Sequence, residues 1–105
     1  MQKEKRVKSK RHVDWVRSRP CAAQSLSCSG LNQAHHLLSP WIGSRGMGMK
    51  ADDRNVIPLC RFHHEQLHIK YGTEDRFFHI HGRPEGFAKE VSRYLWEQSP
   101  FYSPE

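Results

Sequence analysis

The segment Asn55-Val56-Ile57-Pro58-Leu59-Cys60-Arg61-Phe62-His63-His64-Glu65-Gln66-Leu67-His68-Ile69-Lys70-Tyr71-Gly72 changes its periodicity part-way along. Asn55 to Leu59 is a short apolar run and reads as a strand. Pro58 cannot donate to a ladder, so this strand lies at an edge or ends there. From residue 61 to 71, Phe62, Leu67, Ile69 and Tyr71 sit among polar residues without glycine or proline, and Gly72 stands where a C-terminal cap belongs. This predicts a helix of about three turns. On it, His64 and His68 are four apart and share a face, so two imidazoles can hold one divalent cation. Surface pairs of that spacing also arise by chance. His63 points about 100° away around the helix and belongs to a different site.

Cys60 lies three residues before His63, the knuckle spacing of a tetrahedral zinc. Upstream, residues 21–30 read as a loop that carries Cys21 and Cys28, with six residues between them that are small or polar except Leu26. Cys21, Cys28, Cys60 and His63 together supply three thiolates and one imidazole, the donor count of a closed structural zinc site. The set uses all three cysteines of the chain, which a disulfide cannot do with an odd number. The alternative is three unconnected thiols buried as small apolar side chains. A chain of 105 residues allows a single domain with a modest core, and such chains commonly need a metal, a disulfide or a partner.

The remaining elements are placed by the same reading. Residues 1–11 lack apolar periodicity and are expected to be flexible until bound. His12 to Val16 starts a strand or a helix that Pro20 ends. Leu31 to Leu38 is a strand, Ser39-Pro40 a break, and residues 43–50 a glycine-rich loop. Arg76 to His81 is expected as another strand. A last helix runs from Pro84-Glu85 to about Gln98, with Phe87, Val91, Tyr94 and Leu95 as its core stripe. The predicted class is α+β with a zinc ribbon or knuckle and an additional C-terminal helix. A basic arm over 1–20, a central unit over 21–72 and a C-terminal strand and helix over 73–105 make up one domain.

Charge is unevenly spread. Eight basic residues in 1–20 face only Glu4 and Asp14, which accounts for the whole net charge of +6, while the rest of the chain is neutral. A basic arm on a neutral body suits a polyanion, most often nucleic acid, although a solvated tail has the same composition. Lys3, Lys5, Arg6, Lys8, Lys10 and Arg11 are its candidate phosphate contacts, joined by Arg45, Lys50 and Arg54 around the glycine loop. No run approaches a membrane span and no apolar segment follows the basic start, so a cytoplasmic protein without a membrane partner is expected. Asp52 and Asp53 are read as bracing the turn before Asn55. His79 and His81 are read as surface histidines, and Trp15, Trp41 and Trp96 as core or lid residues.

The order Ala34-His35-His36, Asn55, His64, His68 resembles the HNH endonucleases, the ββα-metal nucleases. Asn55 to His64 is nine positions and His64 to His68 four, intervals similar to those of the colicin-type DNases. The text from Gly46 to His68 looks like the small zinc-ribbon HNH proteins of phages and prophages. Two departures are visible: Gln33 and Ala34 precede His35 where an acidic residue is often found, and the glycine-rich stretch lengthens the loop. The resemblance implies a two-stranded ribbon packed on one helix, with His35, His64 and His68 on a catalytic ion. It implies His36 as general base and Asn55 as the residue that holds the loop and orients His36 through backbone contacts. The partner would be DNA, cut by phosphodiester hydrolysis to leave 5′-phosphate and 3′-hydroxyl ends. A monomer would nick one strand with low sequence specificity, and a weak homodimer would cut both. Mn or Mg suits the reaction, although three imidazoles also bind Ni, Co or Zn tightly. The rival expectation is a non-catalytic zinc-ribbon module that binds nucleic acid. A weaker third is a small subunit active only within a larger phage assembly.

Overall fold

The computed structural model describes residues 6–43 and 49–104. Two antiparallel strands, β1 (Asn32–His36) and β2 (Val56–Cys60), pair one to one from Asn32 opposite Cys60 to His36 opposite Val56. Four α-helices surround them: α1 (Lys10–Arg17), α2 (Arg61–Gln66), α3 (Glu74–Ile80) and α4 (Phe87–Gln98). A π-helical turn, Leu67–Tyr71, extends α2, and Gly72 closes it in the left-handed conformation at φ 77°. The helix expected over 61–71 is therefore present, with its last turn widened. The chain is a small α+β fold. Among the described residues no helix is long and apolar enough to cross a membrane.

All of β2 is buried, because helices cover both faces of the ribbon. On one face Ile57 and Leu59 join Leu37, Leu67, Phe77 and Phe78. On the other, Val56 meets Val16 of α1 and Leu95 of α4, with Ala34 packed alongside. Burial on both sides is why β2 reads as a continuous apolar run instead of an alternating one. Each large apolar side chain so buried contributes about 1.5–3 kcal/mol. Pro58 sits inside β2 opposite Ala34, and its carbonyl, on the outer edge, accepts Ala22 N–H at 2.8 Å.

Three expectations are corrected here. Residues 76–81 are not a strand: they belong to α3 and its C-cap, His81. The Thr73 side chain caps α3 by accepting Arg76 N–H at 3.2 Å, and Glu74 and Asp75 in the first turn favour its positive end. The stripe on α4 is also rotated. Leu95 is buried, Phe87 and Val91 are half-buried, but Tyr94 is 62% exposed, and Ala88, Ser92 and Trp96 point inward instead. Ser92 can be buried because its hydroxyl donates to Arg54 O at 2.9 Å and accepts from Trp41 Nε1 at 3.2 Å.

The third correction concerns the N-terminal segment, of which residues 1–5, with Lys3 and Lys5, lie outside the described residues. Residues 6–9 are bound along the chain just before β2. Arg6 Nη2 donates to Lys50 O at 2.6 Å, Val7 N–H to Asp52 at 3.3 Å, and Ser9 N–H to Asp53 Oδ2 at 2.8 Å. Asp53 N–H returns a bond to Val7 O at 3.0 Å. Helix α1 follows directly, capped by the Ser9 hydroxyl. Composition hid this, because backbone amides caught by two carboxylates leave no periodic pattern.

His12 and Val16 anchor α1. His12 is fully buried, with its ring edge against Trp96 at 4.8 Å and its Nδ1 3.0 Å from the Ser99 hydroxyl. Burial pushes its pKa down to about 4, outweighing the raising effect of Asp53. Between that value and about 6.5 the unfolded chain binds a proton that the fold refuses, so stability is complete above pH 6.5 and drains away as pH falls toward 4. We expect roughly 3 kcal/mol of acid-induced loss from this residue. Comparing urea midpoints at about pH 7.5 and 4.5 for the wild type and His12→Phe tests it. The variant should lose distinctly less on acidification, and equal losses would discard the assignment.

Candidate metal centres

Cys21, Cys28, Cys60 and His63 converge, with their four donor atoms all within 4.8 Å of one another. Cys60 closes β2 and His63 lies in the first turn of α2. The edge bond from Ala22 N–H to Pro58 O draws Cys21 alongside, where its sulfur accepts Cys60 N–H at 3.3 Å. Ser29 O and Leu31 O accept the first amides of α2, from Phe62 and Arg61, which holds the Cys28 loop over the helix start. Gly30 makes this possible: its φ is +84°, and a Cβ there would stand 2.8 Å from Arg61 Cβ.

The donor geometry fits a tetrahedral ion. Bonds of ~2.3 Å to sulfur and ~2.0–2.1 Å to nitrogen set S···N separations of about 3.6 Å. His63 Nδ1 lies 3.7, 3.6 and 3.2 Å from the sulfurs of Cys21, Cys28 and Cys60. Its other nitrogen meets the Ser25 hydroxyl at 3.1 Å, an outer contact that fixes the ring. Burial pushes the Cys21 thiol up to about 11. Burial acts the same way on Cys60, but N–H groups of His63 and Ser29 and the neighbouring thiols bring it below its ordinary value. Thiols must lose protons to ligate, so filling this site releases protons. This cluster can hold a metal such as zinc.

A second group unites β1 with α2 and its π turn. His35, His64 and His68 also have donor nitrogens within 4.8 Å of one another. The Nε2 atoms of His64 and His68 are 3.1 Å apart. Two imidazoles on one ion at ~2.1 Å stand about 3.0 Å apart at a right angle and about 3.4 Å at the tetrahedral angle. His64 Nδ1 donates to Gln33 Oε1 at 2.6 Å, which turns the lone pair on its Nε2 toward the group. Burial, then the neighbouring His35 and His68, lowers the His64 pKa to about 4. His68 is shifted down by burial and by His35, against Glu74. Both shifts favour the neutral imidazole, the form that binds metals.

His35 is positioned from α3. Its Nε2 lies 2.9 Å from the buried carboxylate of Glu74, which also accepts Leu38 N–H at 3.0 Å and Ser39 N–H at 3.1 Å. Those bonds take up the amides just beyond β1 and end the strand. Burial alone would raise the Glu74 pKa, but His35 and the Leu38 amide hold it below the usual range. Glu74→Ala is expected to weaken metal binding at this group by about 10- to 100-fold, because the first ligand loses its orienting partner. Titration with Co or Ni by calorimetry reads this out. Unchanged affinity in a variant that still melts cooperatively would rule out the orienting role.

The other sites expected from sequence are placed less uniformly. His36 is not among the three converging histidines. Strand alternation carries its ring to the α1 side of the ribbon, where Nε2 lies 2.8 Å from Asp53 Oδ1. Asn55 is fully buried; its Oδ1 accepts Trp41 N–H at 2.8 Å and its Nδ2 donates to Ile42 O and Asp52 Oδ1, each at 3.1 Å. Its carbonyl accepts Leu37 N–H at 2.8 Å, one residue past His36. Lys8, Arg11 and Lys50 are exposed, and Lys10 pairs with Asp14 at 3.1 Å. Arg54 is no free phosphate contact: it is buried and paired with Asp52 at 2.6 Å. Arg45 lies outside the described residues. His79 is exposed as expected, but the His81 ring packs edge-on against His63 at 5.2 Å.

Glu74, Gln33 and Ser25 are contributors that sequence reasoning missed, and Asp53, read there only as bracing the turn before Asn55, is also the partner of His36. Gln33 was within reach, since it stands two before His35 and so shares its face. Glu74 carried no local mark beyond an acidic first turn.

A family model described as protein of unknown function (DUF968) matches residues 1–92. The uncharacterized protein YdfU of Escherichia coli (strain K12) is 38% identical over 81 residues, covering 69% of this chain and 21% of YdfU. The chain thus spans about a fifth of that relative. No solved structure matches it.

Proposed function

We propose that this chain, which belongs to the DUF968 family, is a metal-dependent endonuclease of the HNH kind that nicks DNA with low sequence specificity. The observation that carries the reading is the convergence of His35, His64 and His68 on one point between β1 and the helix that follows β2. The β1–β2 hairpin and α2 are read as a ββα-metal unit, and the three thiols with His63 as its structural zinc. His35, His64 and His68 would hold a divalent ion, Mn or Mg, which when bound would supply Lewis-acid stabilisation of charge on the phosphate. His36 takes the proton from the attacking water, a task that suits an imidazole near neutral pH. It is the last residue of β1, so its ring lies at the ribbon's end. Asn55 supports this by tying the 41–42 turn to β2 and bonding the residue after His36. Lys8, Arg11 and Lys50 supply salt-sensitive contacts to the DNA backbone.

The placement of the His36 ring beside Asp53, away from the other three, favours the rival reading of a zinc-ribbon module that binds nucleic acid without cutting. Supercoiled plasmid incubated with the protein in Mn or Mg, with and without EDTA, separates the two. Metal-dependent conversion to open circles supports the nuclease, and rapid linear product adds paired cutting by two copies. A gel shift with the plasmid left supercoiled in every metal gives the decision to the binding module.

A further inference from the structure

We propose that Asp53 is a positioning residue that fixes the tautomer of His36 and seats the basic N-terminal segment against the same carboxylate. Its purpose rests on the nuclease reading, but its geometry does not. Asp53 Oδ1 lies 2.8 Å from His36 Nε2, and Oδ2 accepts Ser9 N–H at 2.8 Å. Asp53 N–H donates to Val7 O at 3.0 Å. Both oxygens and the backbone are therefore engaged, and the carboxylate cannot rotate freely. Its neighbour Asp52 is held by Arg54 and Asn55, so the turn beneath it is also fixed.

A carboxylate only accepts hydrogen bonds, so neutral His36 must carry its proton on Nε2. That leaves the lone pair on Nδ1, and Nδ1 becomes the atom that can take a proton from water. The 6–9 segment, which carries Arg6 and Lys8, is stitched to the same two aspartates. Phosphate contacts made by that segment are consequently held in register with the His36 ring. Deleting it would disturb Asp53 as well as charge, so point substitutions test the idea more cleanly.

Asp53→Asn keeps the size of the side chain but allows its amide to donate to Nε2, which selects the opposite tautomer. Where a carboxylate orients a catalytic imidazole, this exchange preserves geometry and lowers turnover by about 10⁴-fold. Here turnover in plasmid nicking is expected to fall ~100- to 10,000-fold with KM for DNA and the melting temperature nearly unchanged, and Asp53→Glu should recover part of it. Ring ¹⁵N shifts of His36 at about pH 8.5, where an imidazole is neutral, should show Nε2–H in the wild type and Nδ1–H in Asp53→Asn. A tautomer switch in a protein that never nicks would uphold the positioning and remove the nuclease. Nicking by the wild type with rate and ring shifts untouched by Asp53→Asn would overturn the positioning and leave the nuclease standing.

Discussion

Replacing His36 with alanine is expected to slow metal-dependent nicking by about 100- to 10,000-fold, the usual contribution of a positioned general base. The change should act on turnover and not on folding. His36 is half-buried at the end of β1, and its partner, Asp53, keeps a side-chain exposure of 21%. Water can therefore take the vacated place at Oδ1, and no buried acceptor is left without a donor. Neither metal group includes His36, so Zn content and the titration of Co or Ni at His35, His64 and His68 should match the wild type. Measuring nicking rate, metal content and melting temperature side by side isolates the effect. Wild-type nicking by His36→Ala would dismiss this residue as the base; if neither protein cuts, the binding module remains.

The second large effect is on stability. Cys60→Ser should remove zinc from the Cys21, Cys28, Cys60 and His63 cluster and abolish cooperative unfolding. Structural zinc is worth roughly 10–16 kcal/mol in small zinc-folded peptides, against a net stability of ~5–15 kcal/mol for a typical domain. Losing one of four ligands, at a position that is 2% exposed and joins β2 to α2, threatens the whole margin. The expected result is one tightly held zinc for this cluster in the purified wild type, and a broad, non-cooperative melt in Cys60→Ser. A wild type that carries no zinc yet melts sharply, with Cys60→Ser melting within a few degrees of it, would return the three cysteines to ordinary core packing.

Much of the fold was legible because it is written locally. The helix over 61–71 declared itself by polar-apolar spacing and a glycine stop, and β2 by its apolar run. Cys60 with His63, and His64 with His68, are short-range pairs whose spacing states which side chains share a site. The errors arose where local pattern was ambiguous or silent. Phe77 and Phe78 are adjacent, and both are buried; the residues around them suited a strand until the Thr73 cap started a helix. Tyr94 matched the apolar stripe of α4, yet Ser92 took an inward place because two hydrogen bonds awaited it. Arg54 looked like a surface cation, and Asp52 buried it.

By itself, then, the sequence determined the α+β class, the helix that carries three histidines in a row of six positions, and the donor types available to a metal. Those follow from backbone periodicity and residue chemistry, which act over a few positions. Tertiary structure alone decided that the edge bond at Pro58 is what brings Cys21 to Cys60, that Glu74 steers His35, and that Asp53 joins His36 to the N-terminal segment. Each of these pairs residues 17 to 44 positions apart. Such partners are selected by burial and by the demand that every enclosed polar group find a mate, and that demand is met in space and leaves no period along the chain.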